Sequence, residues 1–211
     1  MKSHMSLKAI ILVAVFGFFS VLATAGFAGE ASNKRFEIGV SGGGASVSSS
    51  PIPGIPADAK MGYGVRFVTD IRPDTSVVLG VSQRDFKNLE MGGMPLGNVG
   101  STSFSVTGRY NFRNDSQFTP YLGGGVNFTT FDGSLANGKL HVNSNGGVGT
   151  VIEGGLNYKL PSNSVIGFVD LSVRSYQNKS FSIESSGGAK MTDMKINPTE
   201  VTFSVGWPLN F

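Results

Sequence analysis

The chain has 211 residues, with 17 basic and 14 acidic side chains, 30 glycines, 16 phenylalanines, 2 histidines and no cysteine. That length suits one domain, and the lack of thiols excludes disulfides, a lipid-bearing cysteine and thiolate metal or redox sites. Charged residues are only 15% of the chain and mean hydropathy is +0.06. Such a glycine- and aromatic-rich composition is poor material for packed soluble helices.

The N-terminal segment predicts a cleaved export signal over residues 1–28, with the mature domain at 29–211. Lys2 and Lys8 precede an apolar run from Ala9 to Phe19, and two small-residue triplets follow, Ala23-Thr24-Ala25 and Gly26-Phe27-Ala28. Basic, apolar and small regions in that order are what a signal peptidase reads. The apolar run is also long enough for a retained membrane helix, but no basic stop-transfer run follows Ala28. Cleavage removes two lysines and no acid, leaving 15 basic against 14 acidic residues. The sequence pI of 9.2 therefore carries no nucleic-acid signal, and no nucleic-acid partner is expected.

Beyond the signal the dominant period is two, which puts alternate residues on opposite faces of a strand. In chain order, Phe36, Ile38 and Val40 alternate with Glu37, Gly39 and Ser41. Tyr63, Val65, Phe67, Thr69 and Ile71 enclose Gly64, Arg66, Val68 and Asp70. Val77, Leu79 and Val81 oppose Gly80, Ser82 and Arg84, and Phe104, Val106, Tyr110 and Phe112 oppose Ser103, Ser105, Thr107 and Arg109. Leu122, Val126 and Phe128 oppose Gly123, Gly125 and Asn127, while Ile152, Leu156, Tyr158 and Leu160 oppose Glu153, Asn157 and Lys159. Val165, Val169, Leu171 and Val173 oppose Asp170, Ser172 and Arg174. Last, Val201, Phe203, Val205, Trp207, Leu209 and Phe211 alternate with Thr202, Ser204, Gly206, Pro208 and Asn210.

The connections between these eight candidate strands alternate in length. Three are tight and rich in turn residues: Arg72-Pro73-Asp74-Thr75, Arg113-Asn114-Asp115-Ser116 and Pro161-Ser162-Asn163-Ser164. Proline fixes φ, and Asn, Asp and Ser side chains bond nearby backbone, so each is a turn with a mechanism. The other four are expected to be long loops, at about 48–61, 88–100, 132–147 and 178–194. Short turns at one end and long loops at the other are the asymmetry of an outer-membrane barrel.

A soluble sandwich has period-two strands too, but its second face meets water and is rich in Lys and Glu. Here that face carries glycine, serine and lone charges of both signs, the mixture that fills a narrow lumen. The prediction is an all-β, eight-stranded antiparallel up-and-down transmembrane barrel, whose closure gives every backbone N–H and C=O a partner within lipid. Aromatics near strand ends (Phe36, Tyr63, Phe112, Tyr121, Tyr158, Trp207, Phe211) are read as interfacial girdles. The expected location is the outer membrane of a Gram-negative bacterium, crossed many times, with outer-membrane lipids and lipopolysaccharide as surroundings. The chain ends in Phe211, and an aromatic end to an alternating strand resembles the signal that barrel-assembly machinery recognises.

Pro120-Tyr121-Leu122-Gly123-Gly124-Gly125-Val126-Asn127-Phe128-Thr129-Thr130-Phe131 resembles the run that opens the fifth strand of the OmpW family of small outer-membrane barrels. Gly154-Gly155-Leu156-Asn157-Tyr158-Lys159-Leu160, Ile196-Asn197-Pro198 and the terminal Phe211 are similar to that family as well, so the likeness covers mainly the chain from about Phe118 onward. The ending Trp207-Pro208-Leu209-Asn210-Phe211 departs from the family's usual one, and the third long loop is short for it. The broader eight-stranded class, including OmpA-like and OmpX-like barrels, stays open on these residues. The resemblance implies passage of small, often hydrophobic molecules into the outer mouth and out sideways into the membrane.

Catalysis finds little support. A serine nucleophile needs a histidine base, and His4 lies in the signal, leaving His141 in a long loop. His141 has no second ligand at metal spacing, so neither a metal, a cofactor nor an enzymatic role is expected. Gly42-Gly43-Gly44 and Gly146-Gly147-Val148-Gly149 lack the helix and the Lys-Ser/Thr pair of a phosphate loop. Alternation instead points Arg66, Asp70, Arg84, Arg109, Glu153, Lys159, Asp170 and Arg174 into the lumen. There they form either a plug of salt bridges or a polar constriction along a thin pathway. Ile52, Ile55, Met61, Leu89, Met91, Met94 and Leu96 are candidates for a hydrophobic outer mouth. The leading functional expectation is passive uptake of small hydrophobic or amphiphilic molecules. The alternative is a non-transporting structural or adhesin-like surface barrel with a sealed lumen.

Overall fold

The computed structural model describes residues 36–47, 58–59, 62–91, 94–135, 140–143, 146–161, 164–177, 181–185, 190–194 and 197–209. The described residues contain strands and no helix: β1 (Phe36–Val47), β2 (Asp58–Ala59), β3 (Gly62–Arg72), β4 (Thr75–Met91), β5 (Met94–Asn111), β6 (Phe118–Leu135), β7 (Leu140–Asn143), β8 (Gly147–Lys159), β9 (Phe168–Gln177), β10 (Phe181–Ser185), β11 (Lys190–Met194) and β12 (Pro198–Leu209).

Eight of these strands close on themselves. Antiparallel ladders run β1–β3–β4–β5–β6–β8–β9–β12 and back to β1. Following inward residues once round, Lys159 pairs Phe168, then Gly206, Gly39, Arg66, Gly80, Ser105, Asn127 and finally Gly149. The circuit re-enters β8 ten residues from where it left, so the strands are strongly staggered and tilted, the condition for closing a small barrel.

The faces are inverted relative to a soluble protein. Ile152, Leu122, Val126, Leu171, Val201 and Phe203 are all more than half exposed, whereas Arg66, Glu153 and Asp170 are at most 2% exposed. A water-soluble fold would forfeit roughly 25 cal/mol for each Å² of apolar surface left in water, and only lipid makes this arrangement favourable. The same alternation that gives strands thus gives a lipid-facing outside and a charged inside.

The short turns form by the chemistry of their residues. Arg72 pairs directly with Thr75 across Pro73-Asp74, and the Thr75 hydroxyl donates to Asp74 Oδ1 at 3.1 Å. The backbone and hydroxyl of Ser116 both donate to Asn114 Oδ1, and the Ile166 N–H donates to Ser164 Oγ at 3.2 Å.

The expected long loops turn out to hold strands. β4 and β5 continue through 88–100 as one hairpin with Met91 paired to Met94. β6 pairs β7, β7 pairs β10 and β10 pairs β11, adding a sheet beyond the barrel rim. Where the chain returns to the barrel at β8, Gly146 takes φ +78°. A Cβ there would overlap the Phe128 ring, so only glycine makes this turn.

Candidate functional site

The lumen is filled by side chains that the alternation of β3, β5, β8 and β9 brings to the axis. Arg66 Nη1 donates to Asp170 Oδ1 at 2.7 Å, and the Tyr121 hydroxyl donates to the same oxygen at 3.1 Å. Arg109 grips Glu153 with two bonds, Nε to Oε1 at 2.5 Å and Nη2 to Oε2 at 3.2 Å. Thr107 donates to Glu153 Oε1 at 3.0 Å, and Arg174 Nε lies 3.0 Å from Glu153 Oε2. Arg109 Nη1 reaches within 4.0 Å of Asp170 Oδ2, joining the two groups into one network. Toward the long-loop end Arg84 pairs with Glu200 and donates to Ser82 Oγ.

Aromatic rings complete the filling. The guanidinium of Arg109 lies 4.1 Å from the Tyr121 ring centre, that of Arg84 4.5 Å from Tyr176, and that of Arg66 5.2 Å from Phe168. Stacking on a ring suits the weakly hydrated guanidinium better than it would a lysine. Opposite the bulky groups the wall is glycine: a Cβ on Gly206 would overlap the Phe168 ring, and one on Gly155 would crowd the Tyr121 hydroxyl.

Of the residues singled out from the sequence, Arg66, Arg84, Arg109, Glu153, Asp170 and Arg174 lie together in this buried network. Asp70 and Lys159 do not join it. Asp70 sits at the short-turn end, accepting from Ser76 Oγ at 2.7 Å and facing Arg113 at 3.4 Å. Lys159 is exposed at that same end, because its strand stops there, and it lines a polar cavity with Glu37, Asp70, Arg113 and Asn157. Tyr121 is not a girdle residue: it is 2% exposed, since it shares the inward phase of Gly123, Gly125 and Asn127. Glu37, Glu200, Phe168 and Tyr176 are further buried lumen residues that sequence reasoning misses. Their parity with Gly39, Thr202, Asp170 and Arg174 is the signal that could have found them.

Among the described residues two cavities flank the network. One of about 140 Å³ opens among the short turns and reaches inward to Arg109 and Tyr121. A smaller one of about 20 Å³ lies toward the long loops, between Ser41, Ser82, Arg84, Arg174 and Glu200. Between them the charged groups and rings occupy the bore. Among the described residues no group of three or more metal-ligating side chains is gathered. The mouth candidates Ile52, Ile55 and Met61, and the terminal Phe211, lie outside the described residues. Leu89, Met91, Met94 and Leu96 fall on the β4–β5 hairpin, where their side chains are not described.

An apolar belt outside, short turns at one end and a charged, filled bore define a small transmembrane β-barrel of the outer-membrane type. The model of the OmpW family matches residues 91–209, and the chain belongs to that family. Among solved structures it is similar to the outer membrane protein OprG of Pseudomonas aeruginosa, at 20% identity and TM-score 0.52, covering 82% of this chain and 94% of that one. It is similar to the outer membrane protein AlkL in lipid bilayers at 13% identity and TM-score 0.60, covering 87% and 94%. A major outer membrane protein from Thermus thermophilus matches at 14% identity and TM-score 0.58, covering 84% and 100%. At these identities the likeness is one of fold. No curated protein matches the chain by sequence.

Proposed function

We propose that this barrel takes small hydrophobic or amphiphilic molecules at its outer mouth and releases them sideways into the membrane instead of along its axis. The observation that carries this reading is the filled bore: Arg66, Asp170, Arg109, Glu153 and Tyr121 are all at most 4% exposed and occupy its centre. Above them apolar Val99, Phe131, Val151 and Tyr176 are buried beside polar Arg84, Ser101, Ser103 and Glu200. The described strands also differ in length. β4, β5 and β6 run for 17, 18 and 18 residues, but β1, β3, β8, β9 and β12 for 12, 11, 13, 10 and 12. A solute that meets this axial block leaves sideways into the membrane. In the same reading the protein resides in the outer membrane of a Gram-negative bacterium among lipopolysaccharide and lipid, and enters through assembly machinery that recognises its C-terminal strand.

The test is uptake of a hydrophobic fluorescent probe into proteoliposomes. Burying an isoleucine side chain is worth roughly 1.5–3 kcal/mol, and about 1.4 kcal/mol is tenfold in binding. Replacing Ile52 and Ile55 by Asp should therefore slow uptake at least severalfold. Unchanged uptake with the barrel folded would retire this reading in favour of a non-transporting surface barrel. That second reading draws on the paired, buried charges of the bore and on the added β7–β10–β11 sheet.

A further inference from the structure

Most of the polar side-chain atoms inside the bore that lack a hydrogen-bond partner among the described residues gather on and around β9. Asp170 Oδ2, Ser172 Oγ and Arg174 Nε follow one another along the inner face of β9. Ser204 Oγ is unpartnered directly across the ladder from Asp170, and Asn157 Oδ1 is unpartnered on Asp170's other side. Arg66, which reaches Asp170 through Nη1, leaves Nε and Nη2 unpartnered. Arg174 Nε lies near Glu153, but its N–H does not make a hydrogen bond there. Each such buried group is costly if left unsatisfied. Asp170, Ser172, Ser204 and Arg66 are at most 1% exposed, so bulk solvent does not relieve them.

The line has two ends, and each meets a cavity. Asn157 lines the larger cavity at the short-turn end, and Arg174 lines the smaller one toward the long loops. The chemistry of the line selects its ligand. Guanidinium N–H donors, carboxylate and amide acceptors, and hydroxyls that do both lie interleaved. An anion would be repelled by Asp170 and a cation by Arg66 and Arg174. Water accepts from one group and donates to the next, and typically makes about three such bonds when buried.

We propose that the charged plug binds a file of water molecules along β9 that joins the two cavities, so that the barrel passes water while its fixed charges of both signs exclude ions. This activity is independent of the sideways solute route, which does not cross the plug.

The experiment reads osmotic shrinkage of phosphatidylcholine vesicles by light scattering after a step into hyperosmotic sucrose. The amount of folded barrel is fixed by its gel shift on boiling. Vesicles carrying the barrel should shrink severalfold faster than protein-free ones, with no matching rise in potassium leak. Ser172→Val with Ser204→Val removes both relay hydroxyls and should return shrinkage to the protein-free rate. Asn157→Leu changes a residue that has cavity space beside it, and so keeps the test available if the double variant does not fold; it too should slow shrinkage. Wild-type vesicles no faster than empty ones would overturn the proposal. So would fast shrinkage unaffected by the folded variants, or potassium leak rising in step with water.

Discussion

Removing the carboxylate of Glu153 is the sharpest perturbation of the bore. It takes two bonds from Arg109, one from Thr107 and the close approach of Arg174. Glu153→Met keeps the bulk but leaves two arginines facing each other where no bulk water reaches. Removing one partner of a buried ion pair typically costs about 3–5 kcal/mol. Trp207, the single tryptophan, lies on the lipid-facing side of β12 and reports insertion by fluorescence. Urea unfolding in bilayers followed at Trp207 should therefore show a loss of about that size. Arg109→Met should cost a similar amount. Replacing a buried pair with apolar residues of like volume is often close to neutral. The double variant should accordingly be more stable than the sum of the singles predicts, by about 0.5–3 kcal/mol. Losses below about 1 kcal/mol for each single change, the range of a solvent-exposed pair, with additivity in the double, would refute a charge-filled bore and indicate an open aqueous one.

Further expectations concern the wall, the lipid face and export. Gly206→Val places carbon into the Phe168 ring and the Ile38 carbonyl; overpacking of this kind costs about 1–3 kcal/mol or more, read as loss of the gel shift on boiling. Val126→Arg puts a charge on the lipid face and should lower folding stability by up to about 2–4 kcal/mol at the bilayer midplane. Intact-mass measurement of the protein recovered from outer membranes should give a chain beginning at Gly26 or Gly29, and a retained Met1 would show that the segment is not removed.

Strand placement is legible because a barrel wall enforces period two without relief: each residue meets either lipid or lumen. Arg66 and Asp170 sit between apolar neighbours in sequence and Arg109 between Gly108 and Tyr110, and that alone sets their direction. Their partners are not legible. Arg109 on β5 meets Glu153 on β8 only because β6 lies between them with Gly123 opposite both. Arg66 meets Asp170 across β1 and β12, although the register leads from Arg66 through Gly39 and Gly206 to Phe168, two residues before Asp170. Such pairings depend on closure and on the ten-residue stagger, which no local pattern encodes. Glu200 escapes notice because it lies two residues after Pro198, at a strand start that reads as loop. Tyr121 reads wrongly as a girdle because it is an aromatic near a strand end, although its parity with Gly123 says lumen. The hairpin through 88–100 reads as loop because Pro95 and the glycines around it break the alternation. The bulges between Phe86 and Glu90 are where the ladder absorbs that break.

The central claim is that the bore is closed to solutes and ions along its axis. The most direct measurement is the conductance of the folded protein in a planar lipid bilayer in potassium chloride. An eight-stranded barrel is just wide enough for its own side chains to fill, so the expected trace shows insertion without stable open steps of porin size. A steady, ohmic conductance of a water-filled pore, reproducible from one insertion to the next, would contradict the account.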